Sequence, residues 1–224
     1  MSNLVELAQQ LGGTIGAIDH ARDQAAVALE MITGLPVDPP PPPEPSVVMT
    51  AYSQKDPRWR NIVFAGGKTL GAAGCYVTCV AMIASLAGYE DTPPEVAAKL
   101  REVGAFTGAL LSYPQRIPEA YPLLRYDGTH DWSDHRLTQD ELAIVQDELN
   151  VGPVIMEVDF VPRTSKRDQH FVVAEMFTMD GDLVITDAID SADTRLLERY
   201  AVEDDDYTLN RWIYGLRLLR VAEA

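Results

Sequence analysis

Two cysteines stand four residues apart in "LGAAGCYVTCVAMIASLAGY" (residues 70–89), and their settings differ. Cys75 falls at the start of a predicted helix, where unpaired backbone N–H groups and the positive end of the helix dipole favour a thiolate. Gly74 before it lets another stretch of chain approach closely. Cys79 lies one turn further in, about 6 Å along the axis. It shares a face with apolar neighbours and reads as a small core residue. Two cysteines on one helix are not a disulfide framework, and no second Cys or His pair completes a zinc site. No cofactor or metal is expected. The chemistry left is nucleophilic, and a working thiol needs a base.

Four histidines are available. His20 lies in an N-terminal segment of helical period. His130 and His135 lie in "DGTHDWSDHR", which reads as a solvated polar loop in preference to a divalent-ion site. His170 opens the apolar strand "HFVVAEMF", a position from which a ring can face a cleft while the rest of the strand is buried. After the turn "MDGD", the run "DLVITDAI" ends its apolar stretch on Asp187. Paired antiparallel, the two strands bring His170 and Asp187 near one another. His170 lies ten residues before Asp180 and Asp187 six beyond Gly181, so close contact requires a bulge or an offset. A carboxylate on one ring nitrogen orients the imidazole so that the other can take the thiol proton. Asp190, three residues on, is the rival orienting group.

These residues must be positioned by a fold with both helices and strands. Residues 75–86 read as a buried helix. "TPPEVAAKLREVG" is an N-capped second helix, with Thr92 as cap, prolines in the first turn and Gly104 as stop. "TQDELAIVQDELNVG" repeats that grammar. Strands follow: "PVIMEVDF", "HFVVAEMF", "DLVITDAI" and "RWIYGLRLLRV", with a hairpin at "MDGD". Helices first and an antiparallel sheet after is an α+β order.

At this point the chain resembles papain-like cysteine peptidases of the bacteriocin-leader-processing type and their stand-alone relatives. The resemblance runs from about Ala51 to the C-terminus and is carried by "YSQKDPRWRN", "GAAGCYVTC", "GAFTGALLSYP", "GPVIMEVDF" and "HFVVAEMFTMDGDLVITD". It implies a helical half bearing the Cys, a sheet half bearing His and Asp, and a cleft between them. It also implies Cys75 as nucleophile, His170 as general base and then acid, Asp187 as orienting group and Gln54 of "YSQKD" as oxyanion-hole donor. The family commonly has Pro after the Asp, where this chain has Ala188. The 20 residues between Gln54 and Cys75 read as a long loop. The substrate implied is a peptide, with cell-wall peptides in a phage particle as one setting. Two alternatives stay open: an amidase or acyl transferase with the same triad, and a virion or tail assembly protein with a peptidase-like domain.

The remaining organisation is a helical arm (1–33), a proline-rich spacer (34–46) and the peptidase-like domain (47–224). Leu4, Ala8, Leu11, Ile15, Ile18, Arg22, Ala25, Leu29 and Ile32 form a heptad seam interrupted by Arg22. Ile at successive seam positions favours three strands, so residues 4–32 are expected to form a homo-oligomer, a trimer above all, or to dock on a larger assembly. A single amphipathic helix lying on its own domain is the other reading. Pro39–Pro43 impose polyproline II and act as a spacer. The net charge of −16 argues against nucleic-acid and anionic-membrane partners. No basic segment precedes an apolar one at the N-terminus, so no secretory signal is read and synthesis is expected to be cytoplasmic. No apolar run reaches membrane-spanning length.

Overall fold

The structure is a computed structural model that describes residues 48–160, 168–201 and 208–222. The arm, the proline spacer and His20 lie outside the described residues.

The centre is a six-stranded antiparallel sheet: β5 (Leu124–Asp131), β10 (Ile213–Val221), β6 (Val154–Asp159), β7 (Gln169–Phe177), β8 (Leu183–Asp187) and β9 (Asp193–Arg195), adjacent in that order. Every residue of β6 is buried, as a central strand covered on both faces requires. Helix α1 (Leu70–Ala73) leads through Gly74 into α2 (Cys75–Leu86), and α3 (Pro93–Glu102) packs beside α2. Ten of the twelve residues of α2 are buried. An apolar helix with no polar stripe has to sit inside the protein. It packs on Ile155, Phe171, Val173 and Leu219 of one sheet face.

The other face is covered by α5 (Gln139–Val151), through Val145 and Leu149, and by α6 (Leu196–Tyr200) and α7 (Leu209–Trp212) through Leu196 and Trp212. The capping boxes at Thr92 and Thr138 start α3 and α5 where the sequence marks them. A short helix, α4 (Ile117–Ala120), leads into β5. Helices and an antiparallel sheet in this arrangement are compatible with an α+β papain-like fold.

Three expectations need correction. "DGTHDWSDHR" is not all loop. Its first half is the end of β5, paired with β10, and His130 sits opposite Leu216. The strand alternates between buried or half-buried and exposed side chains and carries an extra residue, Asp127, against β10, so its apolar signal is weak. The 20 residues between Gln54 and Cys75 are not an open loop. They contain a hairpin, β1 (Val63–Ala65) with β2 (Lys68–Thr69), and then α1. The final strand begins at Ile213, and Arg211 and Trp212 belong to the preceding helical turn.

Candidate active site

A cleft of about 1130 Å³ is lined by Cys75, His170 and Gln54, with Leu110, Phe160 and Ile189 among its apolar walls. Each of the first three arrives from a different part of the chain. Gly74 ends α1 and begins α2, with its amide donating to the Leu70 carbonyl at 2.7 Å. A Cβ there would stand 2.5 Å from that same carbonyl oxygen. The glycine therefore lets one helical turn pass directly into the next, and the close approach is to the chain's own preceding turn. Cys75 is half-buried at the first position of α2. Cys79 is fully buried, and burial pushes its thiol well above the usual value.

His170 lies in β7 and is 4% exposed. The bulge that the spacing demanded is Glu175. Val172 pairs with Asp187 and Ala174 with Ile185, but the next pair is Met176 with Val184. Strand alternation then puts His170 and Asp187 on the same side, diagonally offset by two residues. The imidazole Nε2 lies 2.8 Å from Asp187 Oδ1, and Cys75 lines the same cleft as the ring. Nε2 faces the carboxylate, so Nδ1 is the nitrogen left to the thiol. Burial pushes the imidazole toward neutrality, but the bond to Asp187 and the interaction with Cys75 outweigh it and hold the ring at about 9.

Asp187 is fully buried and has four partners. Oδ1 accepts from His170 and, at 2.8 Å, from the Ile189 amide. Oδ2 accepts from the Tyr200 hydroxyl at 2.6 Å and from Arg199 Nε. Burial alone would raise this carboxyl, but His170, Tyr200 and the Ile189 amide draw it down to about 2. Asp190 does not reach the imidazole. Its carboxylate accepts from Arg199 Nη2 at 2.9 Å and from the Ala192 amide. Sequence reasoning missed Arg199 and Tyr200, which sit on the five-residue helix α6. The available signal was electrostatic: a carboxylate ending an apolar strand needs a cation nearby, and Arg199 of "ERY" follows twelve residues later.

Gln54 is 4% exposed and held from two directions. Its backbone amide donates to the carbonyl of Ala188, the neighbour of Asp187, at 2.7 Å. Its side-chain Nε2 donates to the Gly71 carbonyl in α1 at 3.2 Å, and its Oε1 has no partner. Trp59 Nε1 pins the segment by donating to the Ser53 carbonyl at 2.8 Å. Gln54 therefore bridges the strand carrying the acid and the turn that leads to the thiol.

His130 and His135 lie elsewhere. His130 stacks on Trp132, with ring centroids 5.4 Å apart, and lies 3.6 Å from Glu148. His135 sits between Asp134 and Glu141 at 2.6 and 3.0 Å. Among the described residues, no group of three or more His, Cys, Asp or Glu side chains could hold a metal ion.

The family model described as Peptidase C39 like family matches residues 48–214. No curated protein and no solved structure matches the chain. The match covers most of the chain and includes Gln54, Cys75, His170 and Asp187, and on this ground the chain belongs to the Peptidase C39 like family.

Proposed function

We propose that the protein hydrolyses peptide bonds with Cys75 as nucleophile, His170 as general base and then acid, Asp187 as orienting carboxylate and Gln54 as oxyanion donor. The observation that carries this reading is His170 at 2.8 Å from the buried Asp187, in a cleft that Cys75 also lines.

The Cys75 proton is held on Nδ1 of His170, and the imidazolium is stabilised by Asp187 through Nε2. The thiolate attacks the scissile carbonyl carbon, and the C=O π pair moves onto oxygen. The free hydrogen of the Gln54 amide and the Cys75 backbone N–H receive that oxyanion. The tetrahedral intermediate collapses to a thioester as His170 returns the proton to the leaving amine. Water, deprotonated by the same ring, then attacks the thioester, and Cys75 leaves as the thiol. Asp187 keeps its charge throughout, since four donors hold it ionised.

The test is a panel of fluorogenic peptides and peptidoglycan fragments offered to wild type and to Cys75→Ala. Turnover by wild type that disappears in Cys75→Ala, with an unchanged circular dichroism spectrum, is the expected result. Equal turnover by both proteins sinks the assignment.

A further inference from the structure

The charge inside the cleft runs against the charge of the chain. Acidic residues outnumber Lys and Arg by 34 to 18 overall. Among the described residues that line the cleft the balance reverses, with Lys55, Lys68 and Arg217 against Asp168 alone. Arg217 is committed, because its Nη2 donates to the buried Glu157 at 2.6 Å. The two lysines are not, and no salt bridge engages either among the described residues. The chain has only four lysines. Lys99 pairs with Asp91 at 2.6 Å, Lys166 lies outside the described residues, and the remaining two both face the cleft.

Both lysines have fixed backbones and exposed side chains. The Lys55 amide donates to Ser53 Oγ at 3.0 Å, directly after Gln54, whose own amide is tied to Ala188. Lys68 opens β2, and the turn before it presses on the hairpin of β3 (Phe106–Thr107) and β4 (Leu110–Leu111). A Cβ on Gly66 would stand 2.6 Å from the Ala109 amide nitrogen, and with φ +55 that position favours glycine on conformational grounds too. Two ammonium groups are thus carried on fixed backbones at the lining of one cleft, where their fields add on whatever enters.

We propose that the cleft selects peptides bearing a carboxylate beside the bond to be cut, with Lys55 and Lys68 as specificity-determining residues. This rests on the peptidase reading above. The class is a peptide with one or two local acidic groups. A long polyanion would meet the repulsive field of the rest of the surface.

Two measurements separate this proposal from the peptidase reading. The first needs no turnover. Alkylation of Cys75 by anionic iodoacetate and by neutral iodoacetamide is timed in wild type and in a Lys55→Gln/Lys68→Gln variant. The expected result is an iodoacetate rate lower by about three- to tenfold in the variant, with iodoacetamide unchanged within about twofold, and a difference that shrinks at high salt. An unchanged ratio overturns the proposal, whether or not any peptide is cut. The second uses two peptides that differ by one Glu or Gln flanking the scissile bond. A severalfold preference in kcat/KM for Glu that the variant loses supports it, and cleavage without that preference overturns it. If neither peptide is cut while the alkylation ratio shifts as expected, the peptidase reading fails and the anion-selective cleft stands.

Discussion

Tyr76 and Phe171 stack with ring centroids 4.5 Å apart and planes inclined by 22°. Each directly follows a residue that must meet the other in the cleft: Tyr76 follows Cys75, and Phe171 follows His170. The stack therefore joins α2 to β7 one residue behind the thiol and the imidazole. Phe171→Leu keeps most of the apolar volume and removes the stack. Denaturant unfolding should show a loss of about 0.5–1.5 kcal/mol from the aromatic pair. Turnover should fall by tenfold or more, because a small misplacement of reacting groups costs far more in rate than in stability.

The Asp187 cage makes unequal demands on its neighbours. Tyr200→Phe leaves a buried carboxylate one donor short, which should cost about 1–3 kcal/mol of stability by urea unfolding. Asp187→Ala should lower kcat by orders of magnitude, since the imidazole loses its orienting bond. Asp190→Ala should leave kcat within a few-fold of wild type, because Asp190 touches Arg199 and not the ring. Reversal of those last two effects would move the orienting role to Asp190.

His170 is held at about 9 and Asp187 at about 2, so both are charged across the neutral range. The imidazolium is the acid that protonates the leaving amine. The alkaline limb of kcat/KM should therefore fall with a midpoint near pH 9. Linkage gives the signs for stability. The raised His170 contributes stability that is fully present below its ordinary value of 6.5 and is lost as pH rises through about 9. The depressed Asp187 contributes stability present above 3.8 and lost as pH falls through about 2. Melting temperatures measured across pH should decline at both ends, and a flat profile between pH 7 and 10 would contradict the assignment of His170.

Gln54 offers a cleaner separation of catalysis from folding. Its Oε1 is buried without a partner, so truncation removes an unsatisfied atom together with one hydrogen bond. Gln54→Ala should reduce kcat by about a hundred- to a thousandfold, the usual effect of losing one oxyanion donor. The melting temperature should move by only a few degrees. A kcat unchanged within twofold would remove Gln54 from the reaction.

The seam of residues 4–32 predicts self-association. Light scattering on the full chain and on a truncation beginning at Val47 should give an oligomer, a trimer above all, for the first and a monomer for the second. Two monomers would mean that the seam is covered within one chain.

Much of the site could be read from types and spacing. A cysteine opening an apolar helix, a histidine opening an apolar strand and an aspartate closing the next strand are each local patterns. The two capped helices were legible for the same reason, since a capping box lies within four residues. What could not be read depends on pairing. β5 is a strand because β10 lies beside it, and only Leu124 among its residues is fully covered. Arg199 and Tyr200 sit on a helix too short to show a period. The cationic character of the cleft was hidden by the net charge, because a total says nothing about which few residues share a cavity.

The single extra residue in β7 carries a consequence for how the chain can vary. Drawn into the ladder, Glu175 would pair with Ile185 and bring Val173 opposite Asp187, turning the carboxylate to the other side of the sheet from His170, whereas removal of Glu175 would leave Val172 opposite Asp187. The turn beyond it, Thr178–Asp182, has no such constraint, and added length there costs little because loop closure grows only slowly with size. Relatives that keep this chemistry should therefore differ freely in the tip of the hairpin, with or without the extra residue, while preserving the pairing of Val172 with Asp187, so that the register of a strand is as much a part of the catalyst as its side chains.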